Sequence, residues 1–138
     1  MTTVLFACVH NAGRSQMAAG LFNAGADSGA AHAISAGTQP AEHVHREVVQ
    51  VMREVGIDLR GVTPTLLTDA LAGSVQVLVT MGCGEACPFV PGAERIEWDI
   101  PDPKGQSLER VRAIRDDIRA RVEQLVATHG WRPTSREG

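Results

Sequence analysis

Tyrosine is absent from this 138-residue chain, and aromatic residues make up 4% of it. A pocket built to grip an aromatic substrate therefore has little to be built from. No apolar run approaches the ~20 residues that a membrane-spanning helix needs, and Met1-Thr2-Thr3 lacks the basic start of a secretory signal. The cytoplasm is the expected location, with no membrane partner. Strong net charge is missing too. A formal charge of −3 offers no general attraction to nucleic acid, so any anion site must be made locally. Cysteine is scarce, with three residues in all. In a reducing compartment an odd, small number speaks for reactive or metal-binding thiols rather than a structural disulfide framework. Repeats, linkers and low-complexity segments are absent as well.

The length suits one domain able to bury a core without disulfide staples or a structural metal, expected over residues 1–130 with a flexible tail over 131–138. Val4 to Ala7 and Val75 to Thr80 are short continuous apolar runs, the pattern of strands covered on both faces. Ala31 to Ala36 reads as a third strand, and Ile96 with Trp98 as a fourth. Val44, Val48, Val51, Met52 and Val55 recur at helical spacing before Gly56. Leu66, Leu67, Ala70 and Leu71 suggest a short helix ended by Gly73. A long helix follows Ser107, an N-cap, and carries Leu108, Val111, Ile114, Ile118 and Val122 inward. Strands alternating with helices predict an α/β fold with helices on both faces of a parallel sheet of about four strands.

Val4 to Ala19 holds the chemistry. A strand ends at Cys8, a loop of small residues follows, and an amphipathic helix opens near Arg14-Ser15, with Ser15 as its expected N-cap. A helix N-terminus stabilises an anion, whether a bound oxyanion or a thiolate. Asn11, Ala12 and Gly13 are small enough to curl their amides into a nest, and Asn and Gly accept left-handed backbone. Arg14 supplies a planar fork for two oxygens. A lone cysteine on an apolar strand is ordinarily inert core, but Cys-x5-Arg-Ser between strand and helix points to a nucleophile beside an oxyanion.

Two further groups fall at the same end of the sheet. Cys83 and Cys87 follow the strand that ends at Thr80. At i and i+4 on a helix or tight coil their Cα atoms lie about 6 Å apart, within reach of a disulfide if Gly84 lets the backbone bend. The alternative is two buried small residues. Two thiols without a further Cys or His pair do not make a zinc site, and His43 and His45, at i and i+2, do not share a helical face. Asp102, before Pro103 in a proline-bound loop, is either a turn former or a proton donor to a departing oxygen. Asp99 is the other carboxylate there.

The run Cys8-Val9-His10-Asn11-Ala12-Gly13-Arg14-Ser15-Gln16-Met17-Ala18 resembles the oxyanion loop of the low-molecular-weight protein tyrosine phosphatases and of the arsenate reductases built on that fold. Ser35-Ala36-Gly37-Thr38, Gly56-Ile57-Asp58, Val79-Thr80-Met81 and Trp98 with Asp102-Pro103 follow in the family's order, so the resemblance covers nearly the whole chain. It implies a three-layer α/β/α fold with a central four-stranded parallel sheet. Gln16 stands where the phosphatases usually carry proline, a cysteine pair follows the third strand, and tyrosine is missing. These favour the thioredoxin-coupled reductases. Two departures stand out. Gly13 occupies the place of a second cysteine common in the family, and Cys83 and Cys87 are separated by three residues where the familiar relay has six.

The resemblance implies that residues 8–15 hold arsenate, with phosphate or sulfate able to enter the same loop. The Cys8 thiolate, supported by Ser15 and the helix terminus, attacks arsenic, and Asp102 protonates the departing oxygen. Cys83 then releases arsenite by attacking Cys8, and Cys87 closes a disulfide with Cys83 that thioredoxin reduces. No tightly bound cofactor or metal is implied. Resolution by a small thiol such as mycothiol, or phosphatase action, are the alternatives within the same resemblance.

Overall fold

The apolar run that follows Thr3 becomes a central strand. In the computed structural model, which describes residues 1–83 and 90–133, β1 (Thr2–Cys8) lies between β2 (Ala31–Gly37) and β3 (Val77–Thr80). The fourth strand, β4 (Glu94–Glu97), forms the far edge. The order is β2-β1-β3-β4, and every neighbouring pair is parallel. Val4 through Ala7 are completely buried, as a strand covered on both faces must be. The edge strand β4 is mostly exposed.

Four helices are described: α1 (Arg14–Gly25), α2 (Arg46–Arg53), α3 (Asp69–Ala72) and α4 (Leu108–Thr128). Alternate side chains of β1 split between two cores. Val4, Phe6 and Cys8 join Met17 and Phe22 of α1, Val48 and Met52 of α2, and Ile114 and Ile118 of α4. Leu5 and Ala7 join a smaller cluster with Ala72 of α3, Leu78 and Cys83. The fold is the expected three-layer α/β/α arrangement with a central four-stranded parallel sheet.

This strand order positions the site. From β1 the chain passes to β2 on one side, then returns to β3 on the other, so the order reverses at the carboxyl ends of β1 and β3. Open α/β sheets bind ligands at such a switch point. Cys8 is the last residue of β1, and β3 ends at Thr80, shortly before Cys83. The Met81 amide donates to Ala7 O at 2.8 Å, holding the two exits side by side.

Several expectations need correction. The helix expected over Leu66 to Leu71 is only Asp69–Ala72, capped by Thr68, whose hydroxyl accepts from the Leu71 amide. Leu66 instead bridges in parallel to Gly37. Val44 precedes α2 rather than lying in it. Trp98 follows β4 and packs on Phe6, ring centroids 5.6 Å apart. Trp131, expected in a loose tail, is buried. It meets Phe22 edge-on and stacks on His129, so apolar burial extends past the expected boundary at residue 130. The N-cap role of Ser107 holds, its hydroxyl accepting from the Arg110 amide at 3.1 Å. Among the described residues no helix is long and apolar enough to cross a membrane.

One charged contact fastens α2 to α4. Glu54 accepts from Arg112 at 2.8 Å and from Arg115 at 2.9 Å, while Arg115 also donates to Val51 O at 2.8 Å. The Arg112 hydrogen bond is the chief cause that pulls the Glu54 carboxyl down to about 2.

Two stability measurements test this packing. Because the Glu54 carboxyl is depressed in the folded state, its stabilising effect is complete above its ordinary value of 4.5 and is lost as pH falls towards 2. Glu54→Gln should therefore lower Tm at neutral pH, with the gap to the parent closing on acidification; a gap that stays constant down to the acid limit would refute the ion pair as its cause. Trp131→Ala should cost about 3 kcal/mol, the usual scale for removing a large buried aromatic, read as a lower urea midpoint at unchanged slope.

Candidate active site

Between β1 and α1 the chain makes a tight loop whose carbonyl oxygens are all occupied. Cys8 O accepts from the Thr38 amide at 3.2 Å, Val9 O from Gln39 at 2.7 Å and His10 O from Ala41 at 3.0 Å. Ala12 O accepts from His45 at 2.9 Å and Gly13 O from Met17 at 3.0 Å. Asn11 O takes the Gln16 side-chain amide at 3.1 Å. By contrast, among the described residues none of the backbone amides of residues 9–16 has an acceptor. With the carbonyls tied outward, those amides are left to converge on an anion, an arrangement known as a nest, set here at the N-terminus of α1. Asn11 makes the curl by adopting φ 51, the left-handed region that Asn tolerates. Gly37 permits the close approach, since a Cβ there would lie 2.6 Å from Val9 O.

Cys8 lies at the floor of this nest as a free, buried thiol. Its Sγ is 2.9 Å from Ser15 Oγ. Asn11 Nδ2 donates to that same hydroxyl oxygen at 2.7 Å, which leaves the hydroxyl hydrogen to be directed at the sulfur. Asn11 Oδ1 is held in turn by the Thr65 amide at 2.8 Å and by Gln16 Nε2 at 3.1 Å. Ser15 is therefore not the N-cap. The helix begins two residues earlier than that cap would set it, Gly13 caps it without a side-chain bond, and the Ser15 hydroxyl is committed to Cys8. Gln16 is a buried strut beneath the loop.

Arg14 joins three segments. Its Nη1 donates to Ile100 O at 3.1 Å, and its Nη2 lies 3.9 Å from Asp102 Oδ2. The guanidinium also presses on Gly82, where a Cβ would stand 2.5 Å from Nη1 and where φ is +93. The positive φ is what favours glycine at position 82. Asp102 forms the expected turn and also faces Arg14. Its Oδ1 accepts from the Lys104 amide at 3.0 Å, forming a local turn, while its other oxygen faces Arg14, and its side chain is 47% exposed. The neighbouring Pro103 accounts for Gly13: a Cβ there would come within 2.7 Å of Pro103 Cγ. A second cysteine at that position has no room.

His45 is the site residue that periodicity does not reveal. Its amide pins Ala12 O, and its ring lies 3.6 Å from where a Cβ of Gly13 would stand. Burial holds the imidazole below its ordinary value, against the opposing pull of Asp102. The signal in the sequence is only its place just before α2. His10 Nδ1 lies 3.1 Å from Gln39 O, and Val9 packs against the cluster that holds Cys83. Cys83 is 7% exposed and is disulfide-bonded. Cys87, the other half of the expected pair, lies outside the described residues. Among the described residues no three His, Cys, Asp or Glu side chains gather to hold a metal ion. A nucleophilic thiol below an oxyanion nest, an arginine fork and a carboxyl group at the rim can together form and break a covalent bond to a tetrahedral oxyanion.

Comparison with known proteins agrees with this geometry. A Halobacterium salinarum protein, provisionally named an arsenate reductase, is 40% identical over 124 residues, 87% of each chain. A Synechocystis protein named a glutaredoxin arsenate reductase is 36% identical over 130 residues, 92% of this chain and 98% of its own. Among solved structures, the thioredoxin-dependent arsenate reductase of Corynebacterium glutamicum superposes with TM-score 0.81 at 34% identity. That match covers 93% of this chain and 61% of the longer Corynebacterium chain. The family model for the low molecular weight phosphotyrosine protein phosphatases matches residues 3–131, from within β1 to beyond the end of α4. The chain belongs to that family.

Proposed function

We propose that the chain is a cytoplasmic, single-domain arsenate reductase that converts arsenate to arsenite through a covalent Cys8 adduct. The observation that carries this reading is a free Cys8 thiol at the floor of the amide nest, with the adjacent strand β3 leading directly to Cys83. Phosphatase chemistry needs only the first of these. The names of the Halobacterium, Synechocystis and Corynebacterium relatives support the same choice.

Arsenate enters the nest, its oxygens taking the amides of residues 9–15 and the Arg14 fork. The Cys8 thiolate, receiving the Ser15 hydroxyl proton as a hydrogen bond, attacks arsenic. One arsenate oxygen leaves as water after accepting a proton from Asp102. Cys83 then attacks Cys8 Sγ, the S–As bond breaks, and its electron pair stays on arsenic, which departs as arsenite. The two electrons come from the sulfurs, now a Cys8 to Cys83 disulfide. Cys87 attacks Cys83, Cys8 leaves as thiolate, and the Cys83 to Cys87 disulfide passes to thioredoxin. Gly13 supports this order, because the nest itself holds no second thiol. The Synechocystis relative's name favours a second reading of the reductant alone, in which a small thiol with glutaredoxin replaces thioredoxin.

Arsenate-dependent NADPH oxidation, measured with a thioredoxin system and separately with a small-thiol system, tests the scheme. Cys8→Ser should abolish turnover with both. Cys83→Ser and Cys87→Ser should each lower thioredoxin-supported turnover at least ~100-fold. Full activity of Cys87→Ser with thioredoxin would remove Cys87 from the relay, and phosphate-ester hydrolysis without any arsenate turnover would replace the reductase reading by the phosphatase one. Ser15→Ala should lower kcat/KM for arsenate about 100- to 1000-fold, the scale of losing one preorganised donor, and should lower Tm as well, because the buried Asn11 amide loses its acceptor.

A further inference from the structure

The backbone of His45 fixes the place of its imidazole beside the nest. The His45 amide donates to Ala12 O at 2.9 Å, and its carbonyl accepts from the amides of Val48 and Val49 at 3.0 Å each. The residue is thus fastened to the loop on one side and stands as the N-cap of α2 on the other, without lending its side chain to that cap. Its Cδ2 lies 3.6 Å from the point where a Cβ of Gly13 would stand, and Pro103 Cγ lies 2.7 Å from the same point. Imidazole and proline ring therefore close together on the last residue of the nest before Arg14. Among the described residues neither ring nitrogen of His45 has a hydrogen-bond partner. The side chain is half-buried, and none of its polar atoms is sealed from water, so a proton can reach the ring from solution.

A doubly charged oxyanion asks for more positive charge than the loop holds permanently. Backbone amides are dipoles without net charge. The fixed cation is Arg14, whose Nη1 donates to Ile100 O at 3.1 Å and whose Nη2 faces Asp102 at 3.9 Å. The charges whose fields reach His45 come from Asp102 and Lys104 in the loop after β4, Glu47 on α2 and His10 in the nest loop. Burial, the largest influence, holds the ring below its ordinary value of 6.5; Asp102 and Glu47 favour the imidazolium, while Lys104 and His10 oppose it. The ring is therefore mostly neutral at pH 7 before an anion arrives. Two negative charges in the nest tip that balance, because an opposite charge nearby favours the charged form of an imidazole. His10 is the other imidazole of the loop, and its Nδ1 is already turned to Gln39 O at 3.1 Å.

We propose that His45 matches the charge of the nest to its ligand: it takes up a proton from water as a tetrahedral oxyanion enters, and so favours doubly charged anions over singly charged ones. This rests on the reading of residues 9–15 as an oxyanion site and adds to it the residue that senses the anion's charge. The effect is reciprocal. The factor by which a bound dianion raises the proton affinity of His45 is the factor by which protonated His45 tightens the dianion. His45 makes and breaks no covalent bond with the substrate; it acts through the field that it adds beside Gly13.

The test uses the full chain carrying Cys8→Ser, which takes the thiol out of the proton balance, and sulfate, which stays a dianion between about pH 5 and 8. The imidazole proton signal of His45, assigned by its absence from the spectrum of Cys8→Ser/His45→Asn, is followed against pH with and without saturating sulfate. Its midpoint should lie below 6.5 without sulfate. With sulfate it should rise by at least about half a pH unit, the scale of two charges added at a partly solvated distance. Sulfate affinity from calorimetry should fall about threefold or more as pH rises through the two midpoints, with fractional proton uptake there read from buffers of different ionisation heat. Cys8→Ser/His45→Asn should lose that uptake and show a flatter pH dependence; asparagine keeps the backbone amide and suits the N-cap place. Perchlorate, tetrahedral but singly charged, should move the His45 midpoint less than sulfate, and an equal shift overturns the charge preference. A midpoint that sulfate leaves unmoved overturns the proposal, as does proton uptake that survives His45→Asn. Either result leaves the oxyanion site in place, whereas a failure of sulfate to bind at any pH overturns that site and the proposal with it.

Discussion

Six successive carbonyl oxygens, from Cys8 to Gly13, point away from the place where a substrate would sit, each held by a donor. The rest of the site depends on that constraint. A peptide plane carries its N–H opposite its C=O, so fixing one direction fixes the other. Four of the six donors, the amides of Thr38, Gln39, Ala41 and His45, belong to the segment between β2 and α2. The anion site is thus built as much by the chain after β2 as by the loop that carries its name. The parallel pairing of Cys8 with Gly37 brings the two together.

A second layer of constraint comes from the loops after β3 and β4. Arg14 reaches Ile100 and faces Asp102 on one side and lies against Gly82 on the other. Asp102, the loop after β4 and the strand exit that leads to Cys83 therefore meet at a single guanidinium. Pro103 closes over Gly13, and this contact selects the chemistry as well as the shape. By filling the space where a second loop thiol would stand, it makes a partner from the β3 exit necessary if Cys8 is to be resolved within the chain.

Local pattern made most of the fold legible. The apolar runs at Val4 and Val75 and the stripe in α4 are short-range signals, and buried strands and amphipathic helices follow from them. Cys8, Arg14 and Ser15 were legible for the same reason, being close in sequence. What the pattern could not convey were contacts between distant segments. Ser15 reads as a helix cap because Ser commonly is one, and only the approach of Asn11 and Cys8 gives its hydroxyl another task. Gly82 carries no signal of its own in the sequence, and its positive φ beside Arg14 shows only in the fold. His45 has no periodic signature, since its part is played through its amide and its position beside Pro103 and Gly13. Trp131 stands in polar, proline-containing sequence, and only its edge-on contact with Phe22 makes it part of the core.

A cradle made of backbone amides measures a tetrahedron of oxygens and its charge; the atom at the centre is hidden from it. Phosphate and arsenate are nearly the same object to such a site, and no side chain of the nest touches the difference. Selectivity must therefore arise after capture, from what the central atom permits. Arsenic(V) bound to a sulfur keeps the S–As bonding pair when a second thiol attacks that sulfur, and so is reduced, whereas phosphorus(V) is not. The chain would then discriminate by redox chemistry rather than by recognition. Abundant phosphate would slow it by occupancy alone, leaving each arsenate molecule to wait its turn in a queue that the protein has no means of reordering.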